Sequence, residues 1–258
     1  MLRWSINLFR IRGIPLAMHW SFGFIVAFWA YNGYRDAAVP GAIWNLALMC
    51  AFFTCVVLHE LGHSFTAMHF GIGVRRILLM PIGGMAEFDS IPRSPSQELL
   101  ITLAGPSVNF VIAGVLWLFR SHFSPPIRET PSDLREFGWL LMLINVVFGC
   151  FNLIPAFPMD GGRIVRALLA LRLPYLRATF WAATIGKVVA VACICASIYF
   201  HAWIGVALFL FILSVGEMEY RSVRLQEQHA LEWQAIAGRI GRVARGEIPP
   251  EPPLIRHN

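Results

Sequence analysis

The sequence predicts an all-α polytopic membrane protein: six transmembrane helices, with a small re-entrant or membrane-associated β-hairpin between the second and third. Three observations predict it. Of the 258 residues, 57% are hydrophobic and only 14% charged, against roughly 25% charged in soluble domains, and mean hydropathy is +0.61. Apolar intervals free of Asp, Glu, Lys and Arg recur at the length of about 20 residues that a bilayer crossing needs. Arginine falls mostly on one side of the crossings these intervals define. The net charge of +6 is then explained by membrane flanking, and no nucleic-acid partner is expected. The five cysteines lie mostly in apolar stretches and suggest no disulfide framework.

The elements follow in order. Arg12 to Arg35 is charge-free and holds a first span near 16–34. Asp36 to Glu60 opens a second, near 42–69, which carries His59, Glu60 and His63 toward its C-terminal end. Glu98 to Arg120 gives a third and Glu136 to Asp160 a fourth. Beyond Arg177, the apolar sequence up to Glu217 is interrupted only by Lys187, which lies near enough to the interface to snorkel. Two spans, 178–199 and 203–217, turn near His201.

With the N-terminus inside and six crossings, sixteen arginines lie on the cytoplasmic side and four (Arg35, Arg120, Arg128 and Arg135) outside. Both termini are then cytoplasmic, and the plasma (inner) membrane is the expected location. Gly13 and Pro15 interrupt the N-terminal segment, which has no cleavage site of a secretory signal. Residues 74–90 are too short to cross and hold Pro81 and Gly83-Gly84 between apolar runs, the pattern of a hairpin against the membrane face. Residues 1–217 are thus a six-span core. Residues 218–258 are a cytoplasmic tail: Trp233, Ile236, Ile240 and Val243 recur at helical spacing opposite Arg239, Arg242 and Arg245, as in a surface-lying amphipathic helix, before a Pro-rich end.

The chemistry concentrates in His59-Glu60-Leu61-Gly62-His63. On a helix, positions i and i+4 share a face, so both imidazoles can bind one Zn²⁺. Glu60 can then reach a water at the metal as general base. The alternative, two His and a Glu satisfying one another in the bundle, is disfavoured because ionisable groups inside a span are expensive and functional by default.

A catalytic zinc site takes a third protein ligand, and His19, His69, His201 and Asp160 are the candidates. His69 lies six residues past His63, too far along the helix, and His19 fits an interface residue. Asp160 follows Asn152-Leu153-Ile154-Pro155-Ala156-Phe157-Pro158-Met159, where two prolines break the fourth span. Bare backbone of that kind is tolerated at membrane depth only beside protein or a cavity. The second and fourth spans run in the same direction, so Asp160 lies at a depth like that of the two histidines. Zn²⁺ with ionised Asp160 and Glu60 is formally neutral, which a low-dielectric site favours. A helix N-cap for 161–172 is the other role open to Asp160.

HELGH in a transmembrane helix, followed by NLIPAFPMDGG, resembles the site-2 protease family of intramembrane zinc metalloproteases. The resemblance extends to Gly13-Ile14-Pro15 with His19-Trp20, to Gly83-Gly84, and to Ala104-Gly105-Pro106 with Asn109, over about residues 10–217. It implies His59, His63 and Asp160 as zinc ligands, Glu60 as the catalytic glutamate, and Asn152 as a holder of substrate or oxyanion. No PDZ-sized insertion separates the third and fourth spans and no CBS pair follows the sixth, as in a minimal branch of the family.

The expected activity is hydrolysis of peptide bonds in or near transmembrane segments of other membrane proteins. A substrate helix must unwind before attack and its bared backbone needs partners in lipid. The 74–90 strand edge offers them, with Gly83 and Gly84 as substrate-binding positions that allow close backbone approach. A plain hairpin shielding the site is the alternative. The rival functions are a non-catalytic relative that binds membrane proteins and a metal transporter using the His/Asp cluster. Neither the substrate nor the oligomeric state is legible.

Overall fold

The computed structural model describes residues 5–244 apart from 82, 91, 93 and 127–129, and the side chains of 230 and 239–244 are outside the description. Arg128, Arg245 and the Pro-rich end therefore lie outside it, as do the side chains of Arg239 and Arg242. Among the described residues, five helices are long and apolar enough to cross a membrane.

The first, α1 (Phe22–His69), is a hairpin of two arms. Ala37 and Ala38 leave helical geometry, with Pro40 just beyond. Proline lacks an N–H and disfavours helical geometry in the residue before it. The arms return antiparallel. Gly33 faces Gly41 so closely that a Cβ on either would collide with the other's backbone. The Asn45 amide donates to the Trp29 carbonyl at 3.3 Å, and Phe22 meets Phe53 edge-on at 4.5 Å. Small residues permit this approach where apolar burial supplies little drive between helices in lipid.

The expected first span begins too early. Residues 14–19 are strand, and the helix starts at Phe22. Strand β1 (Ser5–Ile11) turns through Arg12 and Gly13, both at positive φ, into β2 (Ile14–His19). A charge-free interval bounds a span from outside without saying where the helix begins. Between α1 and the next helix, β3 (Val74–Met80) and β4 (Gly83–Phe88) form the expected hairpin with Met80 opposite Gly83. The hairpin is half of a four-stranded sheet ordered β1-β2-β3-β4, with β2 and β3 parallel. Its inner face (Ile14, Leu16, Ile77, Leu79) packs on Phe22, Met49, Phe53 and Val56 of α1.

Helix α2 (Pro95–Leu118) packs on α1 and leads to α3 (Leu134–Asn152), whose first turn is capped by the Asp133 carboxylate. The chain is irregular over 153–159, then forms α4 (Asp160–Ala170), α5 (Tyr175–Tyr199) and α6 (Trp203–Ala244). The turn between the last two passes through His201 at positive φ. Gly186 of α5 sits against Ala156, and Ala156, Met159, Ala190 and Ile212 form a second core. Lys187 pairs with Glu217 across α5 and α6. Helix α6 continues 27 residues past Glu217 to Ala244, so one rod stands where the sequence suggests a span and a separate surface helix. No proline interrupts 203–244, and strong helix formers fill 218–237.

The arm contact yields a direct check. Gly41→Ala should destabilise the protein by about 1–3 kcal/mol, read as thermal unfolding in detergent. Gly23→Ala, with nothing within 4 Å of its Cβ position, should leave stability unchanged.

Candidate metal centre

The lower arm of α1 carries His59, Glu60 and His63, and the i, i+4 spacing puts the two imidazoles on one face. The helix opposite makes room for them. A Cβ on Gly105 of α2 would collide with both rings, and one on Gly62 would press on the Ala104 carbonyl at 2.9 Å. The His59 Nδ1–H donates to Asn109 Oδ1 at 2.6 Å, and the His63 Nδ1–H donates to the Ile101 carbonyl at 2.7 Å. Both acceptors lie on α2. With each ring proton committed at Nδ1, each Nε2 presents a bare lone pair.

Asp160 arrives from the other side. Pro155 denies the broken stretch a backbone donor, and Gly161 and Gly162 nest on it so tightly that a Cβ on Gly161 would strike the Leu153 and Ile154 carbonyls. Met159 takes the N-cap position and Asp160 the first helical one. Its carboxylate Oδ2 lies 3.3 Å from His59 Nε2 and 3.2 Å from His63 Nε2, which are 3.1 Å apart. All three residues are buried.

With both rings neutral, three electron pairs converge here, and Asp160 Oδ2 is a buried oxygen without a hydrogen-bond partner. Left so, the triangle is repulsive and poorly solvated. A cation relieves it. Bonds of 2.0–2.1 Å in a tetrahedron place ligand atoms about 3.3–3.4 Å apart, close to the three edges observed. Two imidazoles and a carboxylate with a fourth position open is a zinc donor set, and the residues fit that ion.

Glu60, half-buried beside the first histidine, points to the sheet, where its Oε2 accepts the Ala86 N–H of β4 at 3.0 Å. Gly84 lies against the same residue; a Cβ there would stand 2.7 Å from Glu60 Cγ. The tightness of the Gly83-Gly84 pair is thus at Gly84 and toward α1, while a Cβ on Gly83 would meet nothing within 4 Å. The half-buried Asn152 spends one amide proton on the Phe148 carbonyl at 3.0 Å. Among the described residues the metal-capable group is His59, His63 and Asp160. His19 bonds Ser21 at 2.6 Å instead, and His69 and His201 are exposed.

The sequence names Asn109 only within a resemblance, and its role behind the ligands, with that of Asn145, was missed. The Asn109 amide donates to Asn145 Oδ1 at 3.0 Å, and the Asn145 amide donates to the Leu141 carbonyl at 2.8 Å. Both asparagines are fully buried. Two amides in the middle of apolar spans were the available signal, because such groups need partners there.

The model of peptidase family M50 matches residues 47–127 and 128–193. The chain is 39% identical over 226 residues to a zinc metalloprotease of Methanocaldococcus jannaschii, covering 87% of this chain and 63% of that protein. It is 29% identical over 133 residues to the stage IV sporulation protein FB of Bacillus subtilis, covering 51% of this chain and 43% of that one. Among solved structures it is similar to the site-2 protease from Methanocaldococcus jannaschii, with a TM-score of 0.62 and 39% identity, over 84% of this chain and 95% of that one. The chain thus spans less than two thirds of the length of these curated relatives.

The geometry predicts that Gly105→Ala abolishes zinc uptake, measured as bound metal per protein, while Gly114→Ala leaves it intact, since nothing lies within 4 Å of that Cβ position. Asn109→Leu, which strips the His59 ring of its partner, should weaken zinc binding about 10- to 100-fold in chelator competition.

Proposed function

We propose, from the premise that this chain belongs to peptidase family M50, that it is a zinc-dependent intramembrane endopeptidase. It hydrolyses peptide bonds in or near transmembrane segments of other membrane proteins. The observation that carries this reading is the buried triangle of His59, His63 and Asp160 with a carboxylate, Glu60, one residue from a ligand and on the same helix. A structural ion needs no such neighbour; a hydrolytic one does.

His59, His63 and Asp160 hold the zinc. When bound, the ion supplies Lewis-acid activation of water and of the scissile carbonyl at neutral pH. Glu60 takes the proton of the attacking water and delivers it to the departing amine. Asn152 holds substrate or the developing oxyanion through its amide, whose second proton is not used by the Phe148 bond. Ala86 N–H, by holding Glu60, keeps the carboxylate aimed between the sheet and the ligand face.

The substrate docks in extended form along the outer edge of β4. Ala86 turns its N–H away from β3 and toward Glu60, so the polar groups of alternate residues on this edge face the reacting centre. Strand addition there satisfies the backbone of an unwound helix. Gly83 and Gly84 keep the approach free of side chains.

Counting the two arms of α1 separately gives six crossings. The arginine distribution supports cytoplasmic termini, and the plasma (inner) membrane is the location we assign. Residues 1–217 form the catalytic core, and the first turns of the α6 extension pack against it through Glu219 and Tyr220.

A purified chain in lipid nanodiscs with a single-span reporter substrate tests the assignment. Glu60→Gln should lower cleavage by about 10²- to 10⁴-fold with bound zinc unchanged. Cleavage that persists at the wild-type rate would remove Glu60 as the base. Wild-type protein that binds zinc and substrate yet cleaves nothing would favour the binding relative.

A further inference from the structure

Arg166 has no part in the chemistry above, yet among the described residues it is the largest side chain that is fully buried, at 2% exposure. Its Nε and Nη2 donate to Glu98 Oε1 of α2 at 2.8 and 2.6 Å, and its Nη1 donates to Glu219 Oε1 of α6 at 2.9 Å. The guanidinium also lies 5.2 Å from the Phe157 ring, in the irregular stretch before α4, and 5.1 Å from the Tyr175 ring of α5. One side chain thus ties α4 to four other segments. A buried ion pair is weak as a source of stability but strong as a fixer of register, and a fork of five N–H groups fixes direction as well as distance.

The register it fixes is that of the metal ligands. Arg166 and Asp160 share the eleven-residue α4, about 9 Å apart along its axis. Glu98 precedes Ile101 by one turn of α2, and the Ile101 carbonyl holds the His63 ring. Irregular chain precedes α4, so the preceding backbone alone does not hold this helix against α2. A cavity of about 130 Å³ lies beside the pair, with Ala67, Ile72 and Phe88 lining it as well as Glu98, Arg166 and Glu219, so packing around the ion pair is incomplete on that side.

We propose that Arg166 is a positioning residue for the zinc centre: by clamping α4 to α2 through Glu98, it holds the Asp160 carboxylate in register with the two imidazoles. This rests on the zinc reading given above. It is tested in nanodiscs with Arg166→Met, Arg166→Lys and Lys187→Met, the last breaking an ion pair between α5 and α6 that touches neither α2 nor α4. The readouts are zinc affinity by chelator competition and the visible spectrum of the cobalt(II)-substituted protein. Arg166→Met should lose about 10- to 100-fold in zinc affinity and shift the cobalt bands. Arg166→Lys, which keeps the charge and loses the fork, should lose part of that, and it carries the test if the Met variant does not fold. Lys187→Met should keep both readouts at wild-type values. Zinc affinity and cobalt spectrum unchanged in the Arg166 variants, or an equal loss in Lys187→Met, would overturn the proposal while leaving the zinc site standing. Failure of the wild-type chain to bind zinc would overturn both.

Discussion

Two imidazole nitrogens and a carboxylate oxygen within 3.3 Å of one another and buried are the constraint on which the rest of this structure depends. In water such a triangle would open. Held among apolar helices it persists only if the flanking groups commit each ring proton elsewhere and a cation neutralises the centre. Each unusual local feature near the site serves one of those demands. Glycine replaces any side chain where α2 crosses the two rings, an asparagine and a carbonyl take the Nδ1 protons, and two further glycines let α4 begin hard against the broken stretch that delivers Asp160.

Helix α2 is the scaffold of this arrangement. It orients both histidines, its Gly105 makes room for them, and its N-terminal Glu98 meets Arg166 of the helix that carries the third ligand. The sheet contributes from the opposite side, where the β4 backbone holds Glu60. Under the function proposed above, a carboxylate kept between a strand edge and the metal-capable face suits proton transfer to a substrate lying along that edge. Hydrolysis within a bilayer demands this proximity, since an unwound segment has no water to satisfy its backbone.

Much of this was legible in the sequence, and the reasons differ by residue. His59, Glu60 and His63 declare themselves by spacing, because the period of a helix turns i, i+4 into a common face. Asp160 declares itself because a double proline break at membrane depth needs a purpose. The β3–β4 hairpin follows from its length and from Pro81 and the two glycines. By contrast, β2 was hidden because a charge-free interval looks the same whether its first residues are strand or helix, and β1, with Arg10 in it, lies ahead of that interval. Asn145 and Arg166 were hidden because their partners, Asn109 and Glu98, lie 36 and 68 residues away, a distance that no local period spans. Arg166 in particular reads as one more cytoplasmic-side arginine until the fold closes around it.

The central claim is that one ion sits on these three side chains. Zinc K-edge X-ray absorption of the purified protein, recorded for the wild type and for Asp160→Asn, tests it most directly. The account predicts a first shell of nitrogen and oxygen at about 2.0–2.1 Å with the outer-shell scattering of two imidazoles, and loss or rearrangement of that shell in the variant. A shell without imidazole scattering, or one unchanged when Asp160 is replaced, would contradict it.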